Sequence, residues 1–197
     1  MNIKRILVIS GPTGVGESTI TNKIIKRYPI FVRLVTATTR KPRLNELHGK
    51  DYYFFNRKFF FEEIEKGNII EHTHVEKRDV YYGSYKPDLD KKMGLGFNII
   101  INPDLVGAKY YKEHYNATII FIMPDLIENL QKRLFARDPK ISKTELKKRL
   151  DHAKHEIDNE SSFYDHIVIN KQGQSNEAIE EVIKIIIKEG YQIKKNN

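Results

Sequence analysis

Short apolar runs recur along the chain and alternate with amphipathic stretches. "ILVIS" (6–10), "GFNIII" (96–101), "ATIIFIM" (117–123) and "HIVIN" (166–170) are rich in β-branched residues and free of charge, the pattern of strands buried on both faces. Between them the apolar period lengthens to that of helices. Residues 18–28 place Ile20, Ile24 and Ile25 on one face, and residues 124–137 do the same with Leu126, Ile127, Leu130 and Leu134. Pro103 opens a helix over 103–115. Ser142 and Glu145 form a capping box before a helix over 142–157. A closing helix over 175–190 has Gly190 as its C-cap.

Short buried strands separated by helices predict an α/β fold in three layers, a parallel sheet between two sheets of helices, with ligands bound at the carboxyl ends of the strands. Two segments break the rhythm. Residues 36–92 hold most of the Tyr and Phe with no clean strand–helix–strand unit, and predict an inserted small subdomain. Residues 133–158 are highly charged and include Arg133, Arg137 and Arg149, the composition of a helical flap. The rest, 1–35, 93–132 and 159–197, forms the core of a single domain.

Charge and composition narrow the partners. Thirty-four Lys and Arg against 26 Asp and Glu give a net charge of +8, which suits an anionic ligand. The excess is scattered rather than blocked, so nucleic acid is not expected. The absence of cysteine excludes disulfides and thiolate metal sites. The apolar run near the first residue is too short for a signal-peptide core or a membrane span. A cytoplasmic protein without membrane association is expected.

The sharpest motif is "GPTGVGEST" (11–19), between the first strand and the first helix. Gly11, Gly14 and Gly16 let backbone approach a phosphate, and the N–H groups of the loop and helix start point at the anion. Ser18 is the expected hydroxyl for a magnesium ion bridging two phosphates. The pattern calls for Lys before that serine, and this chain has Glu17. Two unit charges 4 Å apart interact by about 4 kcal/mol at an effective dielectric near 20. Exchanging a cation for an anion there either weakens phosphate chemistry by orders of magnitude or is harmless, if Glu17 swings into solvent at a helix start whose dipole favours it.

Further motifs follow: "TATTRKPR" (36–43), "GKDYYF" (49–54), "IIEH" (69–72), "YYGS" (81–84) and the arginines of 133–149. With the loop, this order and spacing resembles guanylate kinases over roughly residues 5–190. The resemblance implies a phosphate-loop core, a GMP-binding insertion and a lid. It implies transfer of a phosphoryl group from ATP to GMP or dGMP with magnesium, by a monomer or homodimer.

By the same resemblance, Gly11, Pro12, Thr13, Gly14, Val15, Gly16, Glu17, Ser18 and Thr19 hold ATP. Arg40, Arg43, Tyr52 and Tyr82 hold the GMP phosphate. Thr36, Glu71, Ser84 and Asn102 face guanine, with Glu71 accepting from its adjacent N–H donors. Arg40, Arg133, Arg137 and Arg149 serve catalysis, and Asp104 joins Ser18 at the metal. The chain departs from the family at Glu17, at Asn102, where an acid is usual, and at "RDP" (137–139). The stretch between Glu71 and Tyr82 is longer than the common pattern, so its two histidines are expected in a surface loop. The alternative is a guanylate-kinase-like module without catalysis that binds nucleotide or a phosphorylated protein partner.

Overall fold

The structure, a computed structural model, describes residues 4–194, without the side chain of Lys77. Five parallel strands form the central sheet: β1 (Ile6–Ser10), β2 (Phe31–Arg33), β7 (Asn98–Ile101), β8 (Thr118–Pro124) and β9 (His166–Asn170), in the order β2-β7-β1-β8-β9. β1 lies at the centre, and its successive side chains leave by opposite faces. Leu7 and Ile9 enter one apolar cluster with Ile20 and Ile24 of α1 (Glu17–Arg27), Leu130 and Leu134 of α5 (Ile127–Arg137), and Val182 and Ile186 of α7 (Ser175–Lys188). Ile6 and Val8 enter the other with Leu89 of α3 (Lys86–Gly94) and Ala108 and Tyr111 of α4 (Leu105–Tyr115). Burial on both faces explains why these strands carry no polar alternation.

A second sheet of four strands stands beside the core: β3 (Ala37–Thr38), β4 (Tyr53–Phe54), β5 (Ile69–Val75) and β6 (Val80–Tyr85), in the order β4-β3-β6-β5. Its small apolar centre joins Ala37, Phe60 and Ile69, with the rings of Tyr53, Phe55, Tyr81 and Tyr85 against them. Phe60 comes from α2 (Arg57–Glu65), whose cap is the Asn56 side chain accepting from the Phe59 N–H at 2.8 Å. The remaining helix, α6 (Lys143–Asn159), starts as the capping box requires: the Glu145 N–H donates to Oγ of Ser142 at 3.1 Å.

Three details differ from the sequence expectations. His72 and His74 lie on β5, paired with Gly83 and Tyr81 of β6, and not in a loop. α3 begins inside the expected 36–92 insertion, yet its Leu89 is buried in the core cluster with Met93 packed against it; two apolar residues in a charged stretch concealed that contact. The expected start of the flap at 133 falls inside α5, whose Leu134 is buried.

The far end of the core is tied by one carboxylate. Glu189 accepts from Lys4 Nζ at 2.5 Å, stands 2.9 Å from Nε2 of His166 and accepts from the Thr118 hydroxyl at 3.3 Å. The Lys4 hydrogen bond above all, then that of His166, holds its acid constant down at about 2 against the opposing effect of burial. A depressed carboxylate contributes stability above its unfolded value near 4.5, and that contribution disappears as pH falls toward 2. The shift corresponds to about 3 kcal/mol at most, and partial exposure of the partners reduces it to roughly 1–2 kcal/mol. Glu189→Gln is therefore expected to lower urea-unfolding stability by about 1–2 kcal/mol at pH 7 and to flatten the loss of stability between pH 4.5 and 2.

Candidate functional site

The parallel strands end on one rim of the sheet, and two cavities open there. The smaller group of polar contacts belongs to the loop after β1. Val15 N–H donates to the Pro12 carbonyl at 3.0 Å, and Gly16 enters α1 with φ 110°. A side chain at Gly16 would be strained, and its Cβ would stand 2.6 Å from Nδ2 of Asn170. That Asn170 amide instead donates to the Val15 carbonyl at 2.7 Å. Thr13, Gly14, Gly16, Glu17, Ser18 and Thr19 line the cavity, and Arg133 and Arg137 of α5 close its side. Arg133 uses three of its five N–H groups within the protein: it donates to the carbonyls of Val15 and Asn170 at 2.9 and 2.8 Å and to Gln172 at 2.9 Å. It staples the loop to β9 as well as offering charge.

Glu17 does not swing into solvent. It is half-enclosed at the start of α1, and burial pushes its carboxyl up to about 8, with the Glu156 carboxylate of α6 adding to the rise and Arg33 opposing it. Burial thus disfavours the negative charge that the sequence places beside a phosphate, while Arg33 works to retain it.

The second cavity, of about 310 Å3, lies between the two sheets. Its lining includes Thr36, Tyr52, Glu71, Tyr82, Ser84 and Asn102, six of the residues expected around GMP, and also Arg33, Asp51, Thr73 and Asp104. Glu71 sits where the β5–β6 register shifts between Ile69 and His72, an irregularity that re-aims a side chain. Ser84 Oγ donates to Glu71 Oε1 at 2.5 Å. The other carboxylate oxygen lies over Gly107, where a Cβ would come within 3.2 Å of it. Burial raises the pKa of Glu71, the Ser84 hydrogen bond opposes that, and the Asp104 charge reinforces it. Such a carboxylate is a strong acceptor short of donors.

Arg40 does not line this cavity but stands behind it, its guanidinium 5.4 Å from the Tyr52 ring centre. It makes two parallel 2.9 Å hydrogen bonds to Glu46, which also accepts from the Arg43 N–H at 2.7 Å. Arg40 Nε is buried with no partner among the described residues, a donor facing no acceptor. Tyr52 and Tyr82 meet edge to face at 5.8 Å. The Arg43 side chain is exposed.

Other expected residues are placed differently from the pattern. Asn102 lines the cavity, but its amide donates to the Ile9 carbonyl at 2.7 Å and to the Thr21 hydroxyl at 3.2 Å, tying β7 to α1. Asp104 lies with Glu71, not with Ser18: it caps α4 through the Gly107 N–H at 3.1 Å and accepts from Thr73 at 2.7 Å. Arg149 is paired along α6 with Glu145 at 3.1 Å and lines neither cavity. Sequence reasoning passed over Arg33, Glu46 and Asn170. Arg33 had a signal, as the one charge in the apolar run "IFVRLV". Glu46 and Asn170 had none: Glu46 folds back on Arg40 and the Arg43 N–H within its own loop, and Asn170 bonds the distant Val15 carbonyl.

For magnesium the donor set fits. Ser18 is exposed in the first turn of α1 on the loop cavity, a hard oxygen of the kind magnesium takes beside phosphate and water. Among the described residues no trio of His, Cys, Asp or Glu could cage a metal. No helix among the described residues is long and apolar enough to cross a membrane.

Comparison with known proteins agrees with this geometry. The sequence pattern of the family described as guanylate kinase matches residues 3–189. A guanylate kinase of Geobacter metallireducens is 35% identical over 185 residues, covering 93% of this chain and 88% of that protein. One of Mycoplasma mobile is 35% identical over 202 residues, covering 98% and 97%. The crystal structure of guanylate kinase from Anaplasma phagocytophilum superposes with a TM-score of 0.72 at 29% identity, covering 98% of this chain and 89% of that one. From a match that spans nearly the whole chain, from relatives a third identical to it, and from the shared architecture, it follows that this chain belongs to the guanylate kinase family.

Proposed function

We propose that the chain transfers the γ-phosphoryl group of ATP to GMP, yielding ADP and GDP, in cytoplasmic purine nucleotide metabolism. The observation that carries this reading is Glu71: a half-buried carboxylate, fixed by Ser84, in a nucleotide-sized cavity beside a phosphate loop. Guanine presents N1–H and an exocyclic amine as neighbouring donors, and Glu71 accepts both. Asp104, beside Glu71, joins it on the base side, which moves this residue from the metal role that the sequence suggested. Thr36 and Ser84 complete the base edge. Asn102 braces the floor through Ile9 and Thr21.

Toward the acceptor phosphate stand Tyr52 and Tyr82, with Arg40 behind them. Its partnerless Nε is satisfied by a phosphate oxygen, and Glu46 holds the guanidinium in orientation. Arg43 adds a second fork from the surface. On the donor side the loop Gly11 to Thr19 cradles the ATP phosphates through its N–H groups, except at Pro12, which has none, and at Val15, whose N–H is bonded to Pro12, and Arg133 and Arg137 add charge from α5. Bound at Ser18 with the nucleotide, magnesium would neutralise phosphate charge.

The charged segment from the end of α5 through α6 acts as the lid, carrying Arg149 to the phosphates on closure. An oxygen of the GMP phosphate attacks the γ-phosphorus, the bond to ADP breaks, and the released charge passes to ADP. No covalent intermediate or general base is needed, because positioning and charge neutralisation supply the rate.

In a coupled assay of ADP release, the chain is expected to turn over with GMP and dGMP, and far more slowly with AMP or UMP. GMP binding without ADP release would overturn the enzyme reading in favour of a binding module. Glu71→Gln exchanges an acceptor for a donor opposite guanine and is expected to lower kcat/KM for GMP about 10- to 100-fold. An unchanged value would remove Glu71 from the base site.

A further inference from the structure

Arg33 lines the acceptor cavity and reaches toward α1, the helix that follows the phosphate loop. It ends β2 at the carboxyl rim of the sheet, and its own carbonyl accepts from Lys92 Nζ at 2.8 Å, which fixes the strand end against α3. Its side chain lines the acceptor cavity with Tyr52, Glu71 and Asn102. From there Nη2 donates to Oδ1 of Asn22 at 3.2 Å. Asn22 follows Ser18 by four residues on α1, so the two share a face about 6 Å apart along the axis. Arg33 is thus anchored one helical turn from the hydroxyl of the phosphate loop while bordering the acceptor cavity. Burial works against its charge, and Tyr52 and then Glu17 work in favour of it.

Three of the neighbouring cations are committed elsewhere, and Arg137 lines only the loop cavity, from α5. Arg40 is forked onto Glu46, Arg133 is bonded to two backbone carbonyls, and Arg149 is paired with Glu145. Arg33 has only a long hydrogen bond to a neutral amide, which costs little to exchange for a phosphate oxygen. Its surroundings also explain residue 17. A lysine there would set a second cation against Arg33 in the empty site, whereas Glu17 is a compatible neighbour.

We infer that Arg33 supplies, from β2, the cation that the phosphate loop lacks at residue 17, leaving Asn22 to contact the phosphoryl group as it passes between the cavities. This rests on the phosphotransferase reading above. The rival account is that Arg33 merely covers the strand end with its aliphatic stem and keeps its head in water.

The test compares wild type, Arg33→Met, Arg33→Lys, Glu17→Lys and the double variant Glu17→Lys/Arg33→Met. It uses steady-state kinetics, and calorimetry with ADP, with GMP and with adenosine and guanosine joined through five phosphates. Arg33→Met keeps the stem and is expected to lower kcat about 100-fold, with KM for both nucleotides changed by less than about threefold. Arg33→Lys should recover about tenfold or more of that loss. Glu17→Lys should raise kcat about tenfold more in the Arg33→Met background than in the wild-type background, because the two positions supply one charge. The five-phosphate probe should bind Arg33→Met about tenfold more weakly, while ADP and GMP change by less than about threefold.

A kcat of Arg33→Met within about threefold of wild type overturns the inference, as does an equal loss in Arg33→Lys or equal effects of Glu17→Lys in both backgrounds. Absence of GMP-dependent ADP release by wild type overturns the kinase reading on its own. Calorimetry then decides for Arg33: selective weakening of the five-phosphate probe sustains its bridging place, and unchanged affinity removes it.

Discussion

Two phosphate-bearing molecules can meet only where the charge between them is cancelled, and that requirement organises the rim of this sheet. Parallel strands deliver their carboxyl ends to one edge, so the loop after β1, the end of β2 and the end of β7 become neighbours although they are far apart in sequence. Backbone amides supply part of the positive field at no cost in side chains. The remainder comes from arginines, each held in a different way: Arg40 by a carboxylate, Arg133 by carbonyls, Arg33 by an amide. What holds each one determines how readily it can turn toward a phosphate.

Glu17 changes meaning within that frame. As a letter in a motif it is a charge of the wrong sign. In the folded chain it is a half-enclosed carboxyl pushed up by burial and by Glu156, with Arg33 acting on it from β2. Burial disfavours the anion, and a cation on β2 stands within its field, so the charge at residue 17 is set by three elements and not by the loop alone.

The long elements of the core could be read from the sequence because burial on both faces writes an unbroken β-branched run, and an amphipathic helix writes its period. The inserted sheet was much less visible. β3 and β4 are two residues each, too short for any period, and are held by rings packed around Phe60. Of the eight residues expected around GMP, Thr36, Tyr52, Glu71, Tyr82, Ser84 and Asn102 share one cavity, and Arg40 and Arg43 do not line it. Their partnerships were not legible. That Asn102 spends its amide on Ile9 and Thr21, or that Asp104 faces Glu71 and not Ser18, depends on side-chain direction after folding. Arg33 was passed over because no motif includes it, although a lone charge at the end of an apolar strand marks a position at the rim.

The most direct measurement is a crystal structure with adenosine and guanosine joined through five phosphates. The account expects guanine on Glu71 and Asp104, the phosphate chain over the loop amides, and the Arg33 guanidinium released from Asn22 and within hydrogen-bond distance of a central phosphate. A probe bound in that position with Arg33 still on Asn22, or with guanine away from Glu71, would contradict it.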